Sequence, residues 1–175
     1  MRSALLLIIP LMNLSVVNQP ANSWRGLVPL HSSCEDVKRI LKVQKCESPP
    51  FEYSLPGYRV MIEFENESCA HNSRAWRVPL ETVTGMILSP KSATRPSELS
   101  LDLSVYEKHC DDEIEGLVHY ERRQDGISFD LFNGFIQTIF LYPRRDEEKM
   151  RCSLSIPSDR PSSAVPVRDV KQQST

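Results

Sequence analysis

Alternating apolar and polar positions predict an antiparallel sheet in the first half of the chain. In YRVMIEFENE the large apolar residues recur at every second position, the period of a strand with one packed face: Tyr58, Val60, Ile62 and Phe64. FEYSL precedes this strand across the Pro56-Gly57 dipeptide, so the two segments predict a hairpin. ETVTGMILSP, which ends at Pro90, predicts a third strand.

The second half contains a clearer strand pattern. LVHYERR, GISFDLF and FIQTIFLYP are separated by an Asp125-Gly126 turn and an Asn133-Gly134 turn. Both dipeptides favour the positive φ angles that a tight hairpin turn requires. These segments therefore predict three antiparallel strands in a meander.

Helical periodicity occurs once, in SSCEDVKRILK. Ser32 or Ser33 is the candidate N-cap, and acidic residues fill the first turn, where they favour the positive end of the helix dipole. The apolar positions follow helical spacing: Val37, Ile40 and Leu41. The segment predicts one short amphipathic helix, ended by the prolines at 49 and 50.

SELSLDLSVYEKHC leaves two alternatives open, a strand with alternating leucines or a turn followed by a short helix. In addition, TVTGMILSP and FIQTIFLYP have apolar residues at matching offsets and a terminal proline. The expected fold class is therefore α+β, a short N-terminal helix with an antiparallel sheet, with the further alternative of two helix-plus-three-strand repeats.

The ends of the chain differ from its middle. Residues 1–23 combine a positive start, a short apolar run and small residues at Ala21 and Ser23, which predicts a signal peptide cleaved after Ser23. Residues 153–175 are rich in Ser and Pro and predict a disordered tail. A single compact domain is expected over 24–152, with candidate halves 24–92 and 93–152. We expect a secreted or periplasmic protein without stable membrane insertion after cleavage.

That compartment favours disulfides among the five cysteines. The spacing favours Cys34 with Cys46, around the short helix, and Cys69 with Cys152, which would tie the end of the domain to its core. Cys110 is then the unpaired thiol. Because no Cys-x-x-Cys occurs, a zinc ribbon or a thioredoxin-like site is disfavoured.

Charge and motifs argue against several functions. The net charge of −2, with both signs interspersed, is not that of a nucleic-acid-binding protein. Sequences typical of a serine hydrolase elbow, a zinc metalloprotease or a phosphate-binding loop do not occur. No catalytic residue, cofactor or metal site is therefore expected. The densest group of polar residues is interpreted as a solvated loop: His109, Asp111, Asp112 and Glu113. Three strand carboxylates are interpreted as ordinary surface: Glu63, Glu65 and Asp130.

The two tryptophans are the candidate binding residues. Large aromatic side chains dominate interface energies, and Trp76 lies in a polar segment that leads into a strand, while Trp24 follows the predicted signal. Core packing is the alternative role for both residues, since a small sheet with 7% aromatic residues needs large side chains in its interior.

Several segments carry a resemblance: GLVPLHSSCEDVKRIL, AWRVPLETVTGMILSPK, LSLDLSVYEKHCDDE and IQTIFLYPRRDEEKMRC. Through them the chain resembles a group of secreted bacterial proteins to which no function is assigned. It is more weakly similar to the SmpA/OmlA-type outer-membrane assembly lipoprotein and to the beta-lactamase inhibitor protein fold, in which a capped helix precedes a three-stranded meander. The lipid-bearing cysteine of the lipoprotein is absent, and Lys42 stands where a glycine usually ends that helix.

These features lead to two hypotheses about function. The first is a non-catalytic protein-binding or envelope-associated module with a protein partner. The second is a small extracytoplasmic hydrolase whose site combines scattered carboxylates and a histidine. A pocket lined by acids and a histidine would favour the hydrolase, whereas a broad sheet face would favour binding.

Overall fold

A single antiparallel sheet dominates the structure, a computed structural model that describes residues 20–46 and 51–152. Its helix and strands are α1 (Cys34–Leu41), β1 (Phe51–Leu55), β2 (Tyr58–Phe64), β3 (Val83–Pro90), β4 (Glu107–Cys110), β5 (Leu117–Arg122), β6 (Ile127–Phe132) and β7 (Phe135–Leu141). The seven strands are arranged in the order β1-β2-β3-β7-β6-β5-β4. Two meanders, β1–β3 and β4–β7, are joined where β3 pairs with β7.

This architecture corrects the expected α+β class and the alternative of two helix-plus-three-strand repeats. In the described residues α1 is the one α-helix, and the second meander has four strands and no α-helix before it. The second meander differs because Pro96 begins a short 3-10 helix that ends at Leu99 and is capped by Ser100, which has a positive φ of 56°. The chain is therefore built mainly of β-structure, and the similar ends of β3 and β7 reflect neighbouring positions in one sheet.

The hydrophobic core lies on one face of the sheet. Cross-strand partners share a face, and the paired residues Val60 and Leu88, and Ile62 and Met86, are nearly inaccessible to solvent. The second meander continues this layer with Ile127, Phe129, Ile139 and Leu141. The predicted hairpin and meander strands are present, so the period-2 pattern identified the packed face correctly.

The helix α1 covers part of this core. Ser33 is its N-cap: its hydroxyl accepts from the Asp36 N–H at 3.3 Å, and its own N–H donates to the Asp36 carboxylate at 3.0 Å. The hydrogen bond from the Ser33 backbone and the nearby Arg39 lower the pKa of Asp36. Val37 and Leu41 are buried, and the helix ends at Lys42, which adopts the left-handed conformation.

The segment SELSLDLSVYEKHC, for which a strand and a short helix were the alternatives, forms neither a strand nor an α-helix before residue 107. It forms two short 3-10 helices, Pro96–Leu99 and Leu103–Val105, followed by β4. Its half-buried apolar side chains pack against the core: Leu99, Leu101, Leu103 and Tyr106. The alternating leucines thus cover the sheet and are not part of it.

Two disulfides fix segments outside the sheet. Cys34 is bonded to Cys46 and Cys69 to Cys152, with Cα–Cα distances of 6.0 and 5.4 Å, while Cys110 is free and exposed. These are the two pairings that the spacing favours. The second closes a long loop between residues 83 positions apart, and such closure restricts the unfolded chain strongly.

One end of the sheet is closed by the N-terminal segment. Asn22 is fully buried, and its Nδ2 donates to the Tyr142 carbonyl at 3.0 Å. Gly126 lies against the same carbonyl with a φ of +67°, and a Cβ there would clash with it. The turn before β6, the end of β7 and the N-terminal segment therefore meet at Tyr142.

A buried carboxylate fixes the C-terminal 3-10 helix (Arg145–Met150). Glu147 is 4% exposed and contacts His31 Nε2 at 2.6 Å and the Arg144 N–H at 2.7 Å. Burial is the largest single influence on its pKa and raises it, but the hydrogen bonds from His31 and Arg144 together outweigh burial and lower the pKa. The carboxylate thus joins this helix to the segment before α1.

Most of the predicted signal, residues 1–19, and the whole predicted tail, residues 153–175, lie outside the described residues. Within the described part, no helix has the length and apolar character needed to cross a membrane. The signal prediction and the domain boundaries stay predictions.

Replacing Glu147 by Gln is expected to lower the free energy of unfolding by about 1–3 kcal/mol at pH 7, because His31 and Arg144 lose a buried anionic partner. Exposed Glu148→Gln is the matched control and should change it by no more than about 0.5 kcal/mol. Urea unfolding measures both. Because folding lowers the pKa of Glu147, the wild-type advantage should be complete above its ordinary value of 4.5 and be lost as the pH falls through the folded-state pKa. Equal losses in the two variants would contradict this role.

A chain that begins at Ala21 is expected to be more stable than one that begins at Trp24, by about 1 kcal/mol, because only the former contains the buried Asn22. The urea midpoints of the two chains measure this difference. Asn22→Ala in the longer chain separates the side-chain hydrogen bond from the other contacts. Identical midpoints for all three chains would show that the hydrogen bond to Tyr142 contributes nothing.

Candidate functional site

The face of the sheet opposite the core, here called the outer face, has a mixed polar and apolar surface. The strand register aligns one row of side chains across all seven strands: Glu107, Glu121, Ser128, Phe140, Ile87, Met61 and Glu52. A parallel row on the second meander contains His109, His119, Asp130 and Thr138. Apolar side chains thus occupy the middle of the outer face, and ionisable groups occupy its β4–β5 side.

A groove of about 990 Å³ lies between this ionisable region and the chain that follows β7. Its lining comprises Glu107, His109, Glu121, Arg123, Tyr142, Pro143, Arg145, Glu148 and Arg151. Three carboxylates and three guanidinium groups therefore face one open cavity. A mostly charged lining is unlike the apolar, enclosed pockets that bind small molecules.

Glu121 is a groove carboxylate that two side-chain donors hold in place. Its Oε1 accepts from the Tyr142 hydroxyl at 3.1 Å and from Arg123 Nε at 3.1 Å. Burial first, and then the charge of Glu121, raise the pKa of Tyr142, so the phenol remains a hydrogen-bond donor at neutral pH. These two donors hold the carboxylate on the outer face.

The two histidines of this region lie opposite each other on β4 and β5. The ring centroids of His109 and His119 are 6.3 Å apart. His119 Nδ1 lies 2.7 Å from the Asp130 carboxylate, which fixes the orientation of that ring. One ligand atom each of Glu107, His109 and Glu121 lie within 4.8 Å of one another.

The opposite wall of the groove belongs to the C-terminal 3-10 helix and the residue after it. The guanidinium of Arg151 lies 4.0 Å from the centroid of the Trp76 ring and pairs with Glu148 at 2.9 Å. Arg123 is paired with Glu121. Arg145 is exposed, and within residues 20–46 and 51–152 no carboxylate forms an ion pair with it.

The candidate binding residues Trp24 and Trp76 have different neighbours. Trp76 is 7% exposed, and its backbone N–H donates to the Glu65 carboxylate at 2.6 Å. Its ring supports Arg151, which reaches the groove. Trp24 packs edge-on against Tyr58, with ring centroids 6.2 Å apart, and borders the core. Their role in binding stays a prediction, and the described contacts are those of packing.

The strand carboxylates have different surroundings. Glu63 is exposed, whereas Glu65 is buried beyond the end of β2 and accepts from the backbone of Trp76. The interpretation of Glu65 as ordinary surface was therefore wrong. Asp130 is bonded to His119 on the outer face, and Asp111 accepts from backbone N–H groups of its own loop.

Sequence reasoning missed Glu107 and Glu121. The signal was present as Glu-Lys-His at residues 107–109 and His-Tyr-Glu at residues 119–121. Each triplet places its histidine and its glutamate on one strand face, and antiparallel pairing makes the two triplets neighbours. Recognising this required the pairing of β4 with β5, which the open alternatives for the preceding segment obscured.

No family model, curated protein or solved structure matches this chain. The resemblances to secreted bacterial proteins, to the assembly lipoprotein and to the inhibitor fold therefore remain expectations. What the chain does has to be argued from the groove and its surroundings.

Proposed function

We propose that this protein is a non-catalytic, extracytoplasmic binding module that holds an acidic segment of a partner protein in the groove of the outer face. The observation that carries the proposal is Arg145, an exposed guanidinium in the groove lining without a carboxylate partner in the described residues. Arginine presents several donors in a planar fork that matches a carboxylate, and it is enriched among residues that dominate binding energy.

The shape and composition of the groove support a macromolecular partner. A cavity of about 990 Å³ accommodates several side chains, and its lining offers charges and hydrogen bonds in place of an apolar enclosure. Beside it, Phe140, Ile87 and Met61 form a half-buried apolar strip on the outer face. Such a combination of an apolar centre and a charged border is typical of protein interfaces.

The two disulfides support an extracytoplasmic location, because disulfides persist mainly in oxidising compartments. The extracytoplasmic location and an N-terminal signal are part of the proposal, but cleavage after Ser23 is not, because it would remove the buried Asn22. A non-catalytic envelope-associated role is consistent with a groove in which Glu121 and Glu148 are paired with arginines.

Affinity capture from the secreted and envelope fractions of the source organism tests the proposal. Arg145→Glu is expected to reduce the recovery of a stoichiometric partner at least tenfold, because it places a carboxylate where an acidic segment docks. Lys149→Glu is the matched control, since Lys149 is exposed in the same 3-10 helix but does not line the groove. Quantitative mass spectrometry measures recovery, and cross-linking locates the docked segment.

A partner recovered equally by both variants, or a docked segment without Asp or Glu, would overturn the proposed mode of binding. Recovery of no stoichiometric partner by the wild-type chain would overturn the binding module itself. Melting curves check that both variants are folded. We expect that they are, because both substitutions are at exposed positions.

A small hydrolase is the second candidate function. A carboxylate oxygen of Glu107 and one of Glu121 lie within 4.8 Å of each other, and both lie within 4.8 Å of a ring nitrogen of His109. Retaining glycosidases use two carboxyl groups about 5–5.5 Å apart. A panel of chromogenic glycosides and esters tests this candidate: turnover should fall more than a hundredfold in Glu107→Gln, and turnover unchanged by that substitution would exclude these carboxylates.

A further inference from the structure

The β4–β5 edge of the outer face carries an arrangement that the binding of an acidic segment does not explain. Glu107 lies directly opposite Glu121, and His109 lies directly opposite His119. Like charges in directly opposed positions destabilise a sheet. Arg123 is paired with Glu121, whereas no lysine or arginine of the described residues pairs with Glu107. A cation held between the two carboxylates would relieve the repulsion that remains, and His109 adds a ring nitrogen beside them.

The distances suit a small divalent ion. The ligand atoms of Glu107, His109 and Glu121 lie within 4.8 Å of one another, and Glu107 and His109 are exposed. Tetrahedral zinc, with bonds of about 2.0–2.2 Å, needs ligand atoms about 3.4 Å apart. The exposed side chains of Glu107 and His109 would have to rotate to close this difference.

The surroundings of the cluster provide support that exposed acidic groups alone would lack. Ligating side chains in metal sites are themselves held by outer hydrogen bonds. Here the Tyr142 hydroxyl and Arg123 hold Oε1 of Glu121, one of the three groups of the cluster. Glu121 is less exposed than Glu107, and its carboxylate is therefore positioned before any ion arrives.

We propose that Glu107, His109 and Glu121 bind a zinc ion and leave its fourth coordination position open to the groove. One imidazole and two carboxylates form a nitrogen–oxygen donor set that suits zinc, and three protein ligands with an open fourth position are a known zinc arrangement, best attested at catalytic sites. This inference rests on the proposed function, because the ion would add positive charge to the surface that takes an acidic segment. A carboxylate of that segment would complete the coordination.

Isothermal titration with zinc chloride tests the site on the tag-free chain with Cys110→Ser, which removes the exposed free thiol as a competing zinc ligand. One ion is expected to bind per chain, and His109→Gln and Glu107→Gln should each weaken binding at least tenfold. His71→Gln is the matched control, since His71 is also exposed but lies outside the cluster. Tyr142→Phe should weaken binding by about tenfold, since it removes a donor to Glu121.

Loss of zinc binding on Cys110→Ser alone, or equal weakening by His71→Gln and His109→Gln, would overturn the assigned ligands. Absence of binding at millimolar zinc in the wild-type chain would overturn the site. Glu107→Gln keeps the test valid if another variant fails to fold, because Glu107 is exposed on an edge strand. Zinc binding without Arg145-dependent partner capture would reject the proposed function alone, and capture without zinc binding would reject this inference alone.

Discussion

The pairing of β3 with β7 is the contact on which the rest of the structure depends. Three residue pairs form it, Met86 with Leu141, Ile87 with Phe140 and Leu88 with Ile139. Without it the chain would consist of two separate meanders, and each would expose the edge of a small sheet. Because side chains alternate, the same pairs place Met86 and Leu88 in the core and Ile87 on the outer face, so one contact unites the core and the binding surface.

Much of the sheet could be predicted from the sequence because its strands have one packed face. The turn residues Gly126 and Asn133 have the positive φ angles that their dipeptides favour, and Ser33 caps the helix as expected. The order of the strands could not be predicted, because period-2 patterns identify a buried face but not its neighbour. The leucines at 99, 101 and 103 show the limit: they pack against the core from outside the sheet.

The candidate site was harder to predict for the same reason. Glu107 and Glu121 are 14 positions apart, and each is an ordinary polar residue of a strand until the register makes them opposite. The local sequence around His109 drew attention to the acidic loop that follows, whereas alternation directs His109 away from Cys110 and towards the outer face. Cysteine spacing was more informative, since both disulfides agree with it.

Tyr142 connects the stability of the fold to the geometry of the groove. Its carbonyl accepts from buried Asn22, its N–H donates to the Gly126 carbonyl at 2.9 Å, and its hydroxyl holds Glu121. The backbone of this residue is therefore fixed by the N-terminal segment and by the turn before β6, while its side chain orients a groove carboxylate. Such preorganisation lowers the entropic cost of binding, because the group is already in place. The contacts that close the end of the sheet thus determine how firmly the groove presents its ligands.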